Sequence, residues 1–392
     1  MTTRAVRIPR GTCRLFGAIK ALSSIKKSVI LVHGPKGCVY HINYILGMRG
    51  DRPSQIYSTC LDENDVIFGA EEKLKEAIEE LDSELGPEVI AVLSCCASSI
   101  IGEDVERIAE DATTDARVIG IASGGFEGDF RTGYSETLKR LVEELVERPQ
   151  TVDPRAVNLI GLLRGGPDLR ELRRILGLIG VRVNAVLTAN ATLAEIRSMG
   201  SAALNILVCE PAGKEAAECL LEKCNTPYIT EELPIGHAAT HRFLEDVAEA
   251  LGIAAGVDTA DMPPQHAAPL RHRRVAVIGG PTRALSMTRF LLEHGSEPAV
   301  IVVDFDAETK SRLEALVGAE CAVLIEPEQE EIVQALKERH VDLIVGGMLE
   351  RPIAAALGIE HLDIMHGSQK TVGFAGADNL IRALAKRKDS DG

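Results

Sequence analysis

The sequence has no tryptophan, and aromatic residues make up only 3% of its 392 positions. It also has no run of about 18 consecutive apolar residues, so it predicts no membrane-spanning helix. The formal net charge is −15. Because nucleic-acid binding needs clustered Lys and Arg, and often aromatic stacking surfaces, the composition argues against a nucleic-acid partner. No apolar signal segment is visible near the first residues, and we expect a cytoplasmic protein.

Two nucleotide-binding motifs are missing as well. None of the Gly-Pro turns described below matches G-x-G-x-x-G, the pattern of a dinucleotide-binding turn. The segment "PAGKEA" (211–216) contains Gly-Lys, but no Ser or Thr follows Lys214 and no Gly stands five positions before Gly213. The sequence therefore predicts that this chain does not hydrolyse ATP through a P-loop.

Apolar runs and amphipathic segments alternate along the whole chain. Strand-like runs such as "EVIAVLS" (88–94) and "RVAVIGG" (274–280) are followed by helical patterns such as "AEEKLKEAIEELDSEL" (70–85). This alternation predicts an α/β fold with parallel sheets. Three strand-to-helix turns repeat a Gly-Pro pattern, in "VHGPKG", "LRGGPD" and "IGGPTR". We therefore expect three Rossmann-like domains, over residues 1–153, 154–262 and 263–392, the last with a C-terminal tail.

Nine cysteines are many for a cytoplasmic protein, in which disulfides are rare. Cys38 and Cys96 each follow a predicted strand, and the carboxyl ends of parallel strands meet at one edge of a sheet. With Cys13 from the N-terminal segment, they form a converging set suited to zinc or an iron–sulfur cluster. No local C-x-x-C pair is present, which disfavours a zinc ribbon, and buried apolar cysteines are the alternative.

Three cysteines leave a tetrahedral centre or a cubane cluster one ligand short. The candidates for the missing ligand are Cys60, Cys95, an aspartate, a water, the substrate or a second subunit. A cluster shared across a two-fold axis would use the same surface twice. The remaining cysteines are interpreted as fillers of the core or surface, namely Cys209, Cys219, Cys224 and Cys321.

Several ordered segments resemble the catalytic component of nitrogenase and its relatives, the nitrogenase component 1-like family. They are "HGPKGC" (33–38), "STCLDENDVIFGAEEKL" (58–74), "CASSIIGEDV" (96–105), "GGFEGDFRTGY" (124–134), "GGPTRALSMTRFLLEHG" (279–295) and "MLERPIAAALGI" (348–359). The resemblance implies three Rossmann-like domains and an iron–sulfur cluster, expected to be [4Fe-4S], at a subunit interface. It also implies a separate iron protein that carries its own cluster and hydrolyses MgATP.

The resemblance also implies roles for individual residues. It makes Cys13, Cys38 and Cys96 cluster ligands, and it puts Gly102, Glu103 and Asp104 where the family docks its iron protein. A plain first-turn charge on a helix is the alternative for Glu103 and Asp104.

One histidine falls at the family's cofactor position. At this position, His366 is expected to bind nickel axially or to donate a proton. A loop histidine without a role is the alternative.

Other polar residues have weaker functional interpretations. His33 is expected to support the cluster turn. His237 and His241 are four residues apart and could share a helical face, and Lys370 or Arg351 could pair with substrate carboxylates.

The segment "GTCRLFGAIKALSSIKKSVILVHGPKGC" and the compact length are most similar to one branch of the family. Its methanogen members form homodimers and act on Ni-sirohydrochlorin a,c-diamide. The implied reaction is an ATP-driven, multi-electron reduction of the nickel tetrapyrrole with closure of a lactam ring. The alternatives are a subunit of another nitrogenase-like reductase, acting on a protochlorophyllide or a sulfur compound, a non-catalytic scaffold for cofactor assembly, or a plain zinc protein.

Overall fold

The computed structural model describes residues 12–48, 55–126, 128–163, 165–254, 273–304, 307–365 and 369–386. The helices, α1 to α16 in chain order, are Arg14–Leu22, Lys36–Met48, Glu63–Phe68, Glu71–Leu85, Cys96–Ile100, Val105–Glu110, Phe130–Leu145, Pro167–Leu178, Leu193–Arg197, Glu210–Cys224, His237–Ala250, Pro281–Glu293, Ala307–Val317, Gln329–Glu338, Arg351–Leu357 and Gly373–Lys386. The strands, β1 to β13, are Ser28–His33, Ile56–Ser58, Val89–Ser94, Arg117–Ile121, Asp153–Ile160, Arg182–Leu187, Ala202–Leu207, Tyr228–Thr230, Arg274–Gly279, Glu297–Val303, Ala322–Ile325, Leu343–Gly346 and Glu360–Asp363.

The strands form three parallel sheets. Their orders are β2-β1-β3-β4, β6-β5-β7-β8 and β11-β10-β9-β12-β13. Central strands are buried on both faces, which explains their continuous apolar runs; all six residues of β3 are buried. The predicted α/β class with parallel, Rossmann-like sheets is confirmed. In the described ranges no helix combines the length and the apolar character needed to cross a membrane.

Two compact units account for most contacts within the chain. The first unit contains residues 12–165 and 181–230, with the sheets β1–β4 and β5–β8. The second unit contains the described residues of 166–180 and 231–392, with the sheet β9–β13. The predicted domain boundaries stay a prediction, and the one between residues 262 and 263 lies outside the described residues.

In the first unit, α1 and α7 touch through their backbones. A Cβ atom at Gly17 would overlap the carbonyl oxygen of Phe130, and one at Gly133 would overlap that of Arg14. Only glycine permits this approach, because any larger residue would push the helices apart. The crossing is continued by an isolated antiparallel bridge between Cys13 and Asp129. It therefore fixes the position of Cys13, the residue that precedes α1.

In the second unit, a buried ionic network joins α8, α12 and the segment before α16. Asp168 accepts hydrogen bonds from the Thr371 backbone N–H (2.8 Å) and hydroxyl (3.0 Å), and from the Arg283 guanidinium (3.3 Å). Arg283 also donates to the Thr371 hydroxyl at 2.6 Å. We call Asp168, Arg283 and Thr371 the Asp168 network. Its buried charges are matched within it, which is what makes their burial tolerable.

Candidate cysteine site

Strands β1 and β3 lie side by side in the first sheet and end together. Their register pairs His33 with Ser94, the last residue of each strand. Each strand leads within a few residues into a cysteine-bearing helix, Cys38 in α2 and Cys96 at the start of α5. The sheet therefore brings these two cysteines to one edge, in the way that the alternating sequence pattern predicts.

Cys13 reaches the same edge from outside the sheet. A Cβ atom built on Gly125 would lie 3.1 Å from the Cys96 Sγ atom and 3.9 Å from the Cys13 Sγ atom. The two sulfur atoms therefore flank Gly125, where a side chain would crowd the Cys96 sulfur. Cys13 is exposed and Cys96 is half-buried, so both thiols border the protein surface.

Cys38 lies next to the other thiols. A hydrogen bond with Cys95 is the largest of the effects that raise the pKa of Cys38, followed by burial and by repulsion from Cys95, Cys96 and Cys13. The same hydrogen bond lowers the pKa of Cys95, against the effect of burial. We call Cys13, Cys38, Cys95 and Cys96 the cysteine site.

Cys60 does not belong to this group. It is exposed, it has a positive φ of 53°, and its carbonyl oxygen accepts a hydrogen bond from the Lys73 ammonium at 3.3 Å. Cys95, the other extra cysteine considered as a ligand, is buried directly after β3, where a Cβ atom at Gly34 would overlap its sulfur. A ligand role for either cysteine stays a prediction.

The thiols fit an iron–sulfur cluster better than a mononuclear metal. Across the part of the chain that the structure describes, no three His, Cys, Asp or Glu side chains converge closely enough to hold one metal ion. The Cys13 and Cys96 sulfur atoms flank Gly125 at the surface, and Cys38 lies in α2, which follows the neighbouring strand at the same sheet edge. Separate thiols of this kind suit a larger group, in which inorganic sulfide bridges several irons and each thiolate binds a different one.

A buried histidine connects the end of β1 to two neighbouring loops. The Nδ1 atom of His33 lies 3.0 Å from the Thr59 hydroxyl, and its Nε2 atom contacts the Glu103 carboxylate. The Thr59 hydroxyl also accepts the Gly34 N–H at 3.1 Å, so its own proton is available for Nδ1. The neutral tautomer with a proton on Nε2 satisfies every partner, because the carboxylate can only accept.

Glu103 is an internal connector rather than a surface charge. Its side chain is only 6% exposed, and its second oxygen accepts the backbone N–H of Ala70, at the start of α4. The two adjacent residues that share its predicted docking role are more exposed. Gly102 is exposed with a φ of 81°, and Asp104 is exposed and caps α6 by accepting the Arg107 N–H. Their predicted docking role stays a prediction.

Apolar side chains are exposed around the cysteine site. Tyr40, Tyr44 and Met48 follow one face of α2, and Tyr40 is 75% exposed. Phe68 at the end of α3 is 83% exposed, and Ile100 in α5 is 70% exposed. Sequence reasoning missed Tyr40, Tyr44 and Met48. The sequence of α2 does carry a signal for them: the helix is apolar on both faces and lacks the polar stripe of a surface helix.

The other predicted residues come later in the sequence. His366 falls outside the described residues. The Lys370 ammonium lies 3.5 Å from the Glu171 carboxylate, so an internal partner already takes part of its charge, while Arg351 is exposed at the start of α15. His237 and His241 share one face of α11, as their spacing predicts, and both rings pack on Phe374. The Nε2 atom of His237 is 3.3 Å from the Asp378 carboxylate.

Comparison with known proteins identifies the class of protein. The model of the family described as nitrogenase component 1 type oxidoreductase matches residues 13–388. The chain belongs to this family. Family membership supports an iron–sulfur cofactor and redox chemistry in general terms.

Individual relatives define the similarity further. The chain is 28% identical to the nitrogenase iron-molybdenum cofactor biosynthesis protein NifE of Clostridium pasteurianum, over 96% of this chain and 87% of that protein. It is 26% identical to the nitrogenase molybdenum-iron protein beta chain of Methanococcus maripaludis, over 97% and 94% of the two chains. A solved structure of nitrogenase Cp1 at pH 6.5 matches with a TM-score of 0.88 at 21% identity, over 99% of this chain and 95% of that one. The predicted nitrogenase component 1-like fold is confirmed.

Proposed function

We propose that this protein is the catalytic component of a nitrogenase-like reductase in the cytoplasm. Cys13, Cys38 and Cys96 bind a [4Fe-4S] cluster where two copies of the chain meet. A separate iron protein hydrolyses MgATP and supplies the electrons. The substrate is Ni-sirohydrochlorin a,c-diamide, which is reduced and closed to a lactam in the synthesis of the nickel coenzyme of methanogenic archaea.

The observation that carries this proposal is the convergence of three thiols at one exposed sheet edge. Cys13, Cys38 and Cys96 come from separate segments of the chain, and the sulfur atoms of two of them flank Gly125. Redox-active clusters are held by such thiolates, and the bound cluster supplies one electron at a time to a substrate that needs several. The protein's own part is to hold the thiolates in place and to keep their surroundings ordered.

Support for a homodimer comes from the α2 face beside the cysteine site. Tyr40, Tyr44 and Met48 expose large apolar surfaces in a row along the helix. Aromatic residues and methionine are enriched in protein interfaces, where their burial contributes much of the affinity. A second copy that covers this face would also bring its own thiols toward the cluster, as a two-fold axis requires.

Support for a docking surface comes from the loops that Glu103 connects. The exposed Phe68 precedes Ala70, whose N–H is bound to Glu103, and Gly102 and Asp104 flank Glu103 on the surface. We infer that the iron protein docks here. Because Glu103 also contacts His33 at the end of β1, the docking loops are tied to the turn that carries Cys38.

His366 is the residue we propose for proton delivery or axial nickel binding. An imidazole can exchange a proton near neutral pH, and reduction of a ring double bond needs a proton for each added electron. Replacement by alanine in a protein with an intact cluster should lower product formation at least tenfold. Unchanged product formation would remove His366 from the mechanism.

The central test is an anaerobic preparation with its iron and sulfide measured. The wild-type protein should be brown and contain about four irons and four sulfides per cluster, as a [4Fe-4S] centre requires. Replacing Cys13, Cys38 and Cys96 together by alanine should abolish the chromophore. A colourless wild type, or a brown triple variant, would contradict the proposed site. Turnover with an iron protein, ATP and the nickel substrate, against a metal-free porphyrinoid, then tests the reaction.

A second candidate is a scaffold for cofactor assembly. It is favoured by the similarity to NifE proteins, which are named for biosynthesis of the iron-molybdenum cofactor. Such a scaffold would bind a cluster precursor and release it to another protein without reductive turnover. Repeated ATP-dependent turnover by the reconstituted protein would exclude it. Copurification with a second, different catalytic chain would instead point to another nitrogenase-like reductase.

A further inference from the structure

Three serines connect the end of β3 to the segment that follows β4. Ser94 is the last residue of β3, Ser123 is the second residue after β4, and both are buried. The Ser94 hydroxyl accepts the Ser123 backbone N–H at 2.8 Å, and the Ser123 hydroxyl donates to the Ser94 carbonyl oxygen at 2.6 Å. The Ser99 hydroxyl, in α5, lies 3.4 Å from the Ser94 hydroxyl. We call Ser94, Ser99 and Ser123 the serine cluster.

A pair of glycines continues the segment and contacts the cysteine site. A Cβ atom at Gly124 would lie 2.4 Å from the Ser99 hydroxyl oxygen. A Cβ atom at Gly125 would lie 3.1 Å from the Cys96 Sγ atom and 3.3 Å from the Cys13 Cβ atom. Neither glycine has a φ in the left-handed region, so the close approach, and not the backbone conformation, requires a residue without a side chain. The segment therefore packs against two of the proposed ligands.

The far end of the segment is attached as well. Asp129 forms the isolated antiparallel bridge with Cys13. Its carboxylate accepts the Thr132 N–H at 2.9 Å and so caps α7. Gly125 is two residues from Ser123 and four from Asp129. Its position therefore depends most directly on the serine cluster.

The position of Gly125 matters because both neighbouring thiols must be in place when a cluster is assembled. Ordering a mobile segment at the moment of binding lowers the affinity, whereas hydrogen bonds that already order the segment avoid this loss. The two hydrogen bonds between Ser94 and Ser123 are short and buried, so they favour one arrangement of the segment. A merely structural role would predict lower stability without them and no specific effect on the cluster.

We propose that Ser123 is a positioning residue for the cluster. Together with Ser94 it holds Gly125 against Cys96 and Cys13, so that both thiols are ordered before iron and sulfide bind. The inference rests on the proposed cluster. The serine hydroxyls are bonded to one another and to the backbone, so they act through the glycine segment and not as ligands. Their effect is to keep the site assembled and to slow the loss of a bound cluster.

The test compares wild type with Ser123→Ala and Ser94→Ala, each of which removes one of the two hydrogen bonds. The matched control is Thr137→Val in α7 of the same unit, which removes a buried hydroxyl that donates to the Gly133 carbonyl oxygen at 2.7 Å. Urea denaturation of the cluster-free proteins measures the stability that each variant loses. Hydrogen–deuterium exchange of the same proteins measures the order of residues 122–126. The rate of iron loss to a chelator, after anaerobic reconstitution, measures how firmly the cluster is held.

Both serine variants should exchange the amides of residues 122–126 about three- to tenfold faster than wild type, as expected for one lost hydrogen bond. They should bind the same amount of iron but lose it about tenfold faster, which is a usual effect of removing a group that orients a ligand. The double variant should lose iron no faster than either single variant, because one substitution already frees the segment. Thr137→Val should match wild type in both measurements, even where its loss of stability is similar.

Three outcomes would overturn the inference. Unchanged exchange of residues 122–126 in both serine variants would show that the serine cluster does not order the segment. Faster exchange with an unchanged rate of iron loss would show that the order of the segment does not matter to the cluster. Equally fast iron loss from Thr137→Val would attribute the effect to general stability.

Failure of the proposed function would give a different result. A wild-type protein that takes up no iron would overturn the proposed cluster, and the inference with it. The exchange rates of the cluster-free proteins would then still show whether Ser94 and Ser123 order this segment. Failure of the inference alone requires a wild type that binds iron and serine variants that retain it just as well.

Discussion

The cysteine site of the first unit and the Asp168 network of the second unit differ in how their polar groups are satisfied. In the network, a buried carboxylate, a guanidinium and a hydroxyl bind one another at 2.6–3.3 Å. At the cysteine site, Cys13 is exposed, and large apolar side chains such as Tyr40 and Phe68 face solvent nearby. The polar groups of the network find their partners within it, whereas the cysteine site leaves a thiol and large apolar side chains exposed.

The largest expected effect is that of removing Asp168, the carboxylate of the buried network. Asp168→Ala leaves the Arg283 cation buried without its carboxylate, which should lower the free energy of unfolding by about 3–5 kcal/mol. Urea denaturation measures the change. The control is Lys310→Ala in the same unit, because the Lys310–Glu314 pair is exposed and should contribute less than about 0.5 kcal/mol. Equal effects of the two variants would show that the network is not a stabilising element.

The crossing of α1 and α7 should be the next most sensitive feature. Gly17→Ala forces a Cβ atom into the backbone of Phe130 and should cost about 1–3 kcal/mol of stability, or more if the helices cannot separate. Gly177→Ala in α8 is the control, since a Cβ atom there meets nothing within 4 Å and should add about 0.5–1 kcal/mol. If both substitutions stabilised the protein, the close approach of the two helices would be wrong.

Measuring self-association tests whether the exposed α2 face forms the interface between two copies of the chain. Replacing Tyr40 and Tyr44 together by serine should weaken the proposed dimer at least tenfold, or about 1.4 kcal/mol, with little change in protomer stability. Sedimentation over a range of concentrations measures the dissociation constant. Leu292→Ser, a partly exposed apolar residue of the second unit, should leave it unchanged. A double variant that dimerises like wild type would place the interface elsewhere.

The smallest expected effect concerns Glu231 in the second unit. Burial, reinforced by Asp246 and Glu232, raises the pKa of Glu231 to about 7, from an ordinary value of 4.5. The protonated form is therefore favoured by folding, and this contribution is lost as the pH rises from 4.5 through 7. Glu231→Gln should melt about 1–3 °C higher than wild type at about pH 8 and at the same temperature at about pH 4.5. A larger difference at the acidic pH than at the basic one would reverse the sign and contradict the burial of this carboxyl.

Local sequence patterns are enough to predict the fold class and part of the candidate site. The apolar runs of β1 and β3, each followed by a turn and a helix, suffice to predict that Cys38 and Cys96 share a sheet edge. The same patterns cannot show which way a side chain turns after the strand has ended. Of the adjacent residues Cys95 and Cys96 that follow β3, the structure buries the first and leaves the second half-buried.

Glu103 shows the other limit of the sequence. Its position beside Gly102 at the start of a helical segment is typical of an exposed charge. Its two partners, His33 and Ala70, are 70 and 33 residues away in the sequence, and their approach depends on the packing of β1 and α4. A buried hydrogen bond between such distant residues is decided by tertiary structure, so no local pattern could predict it.

The backbone contact between α1 and α7 has a consequence for the order of events during synthesis. Cys13 reaches Cys96 and Gly125 only after α7, which lies more than 100 residues later in the chain, has docked against α1. An emerging polypeptide therefore lacks Cys13 at this edge until α7 has been synthesised and has docked, even where β1 and β3 have already paired. The three thiols can come together only once this part of the chain has been released and has folded.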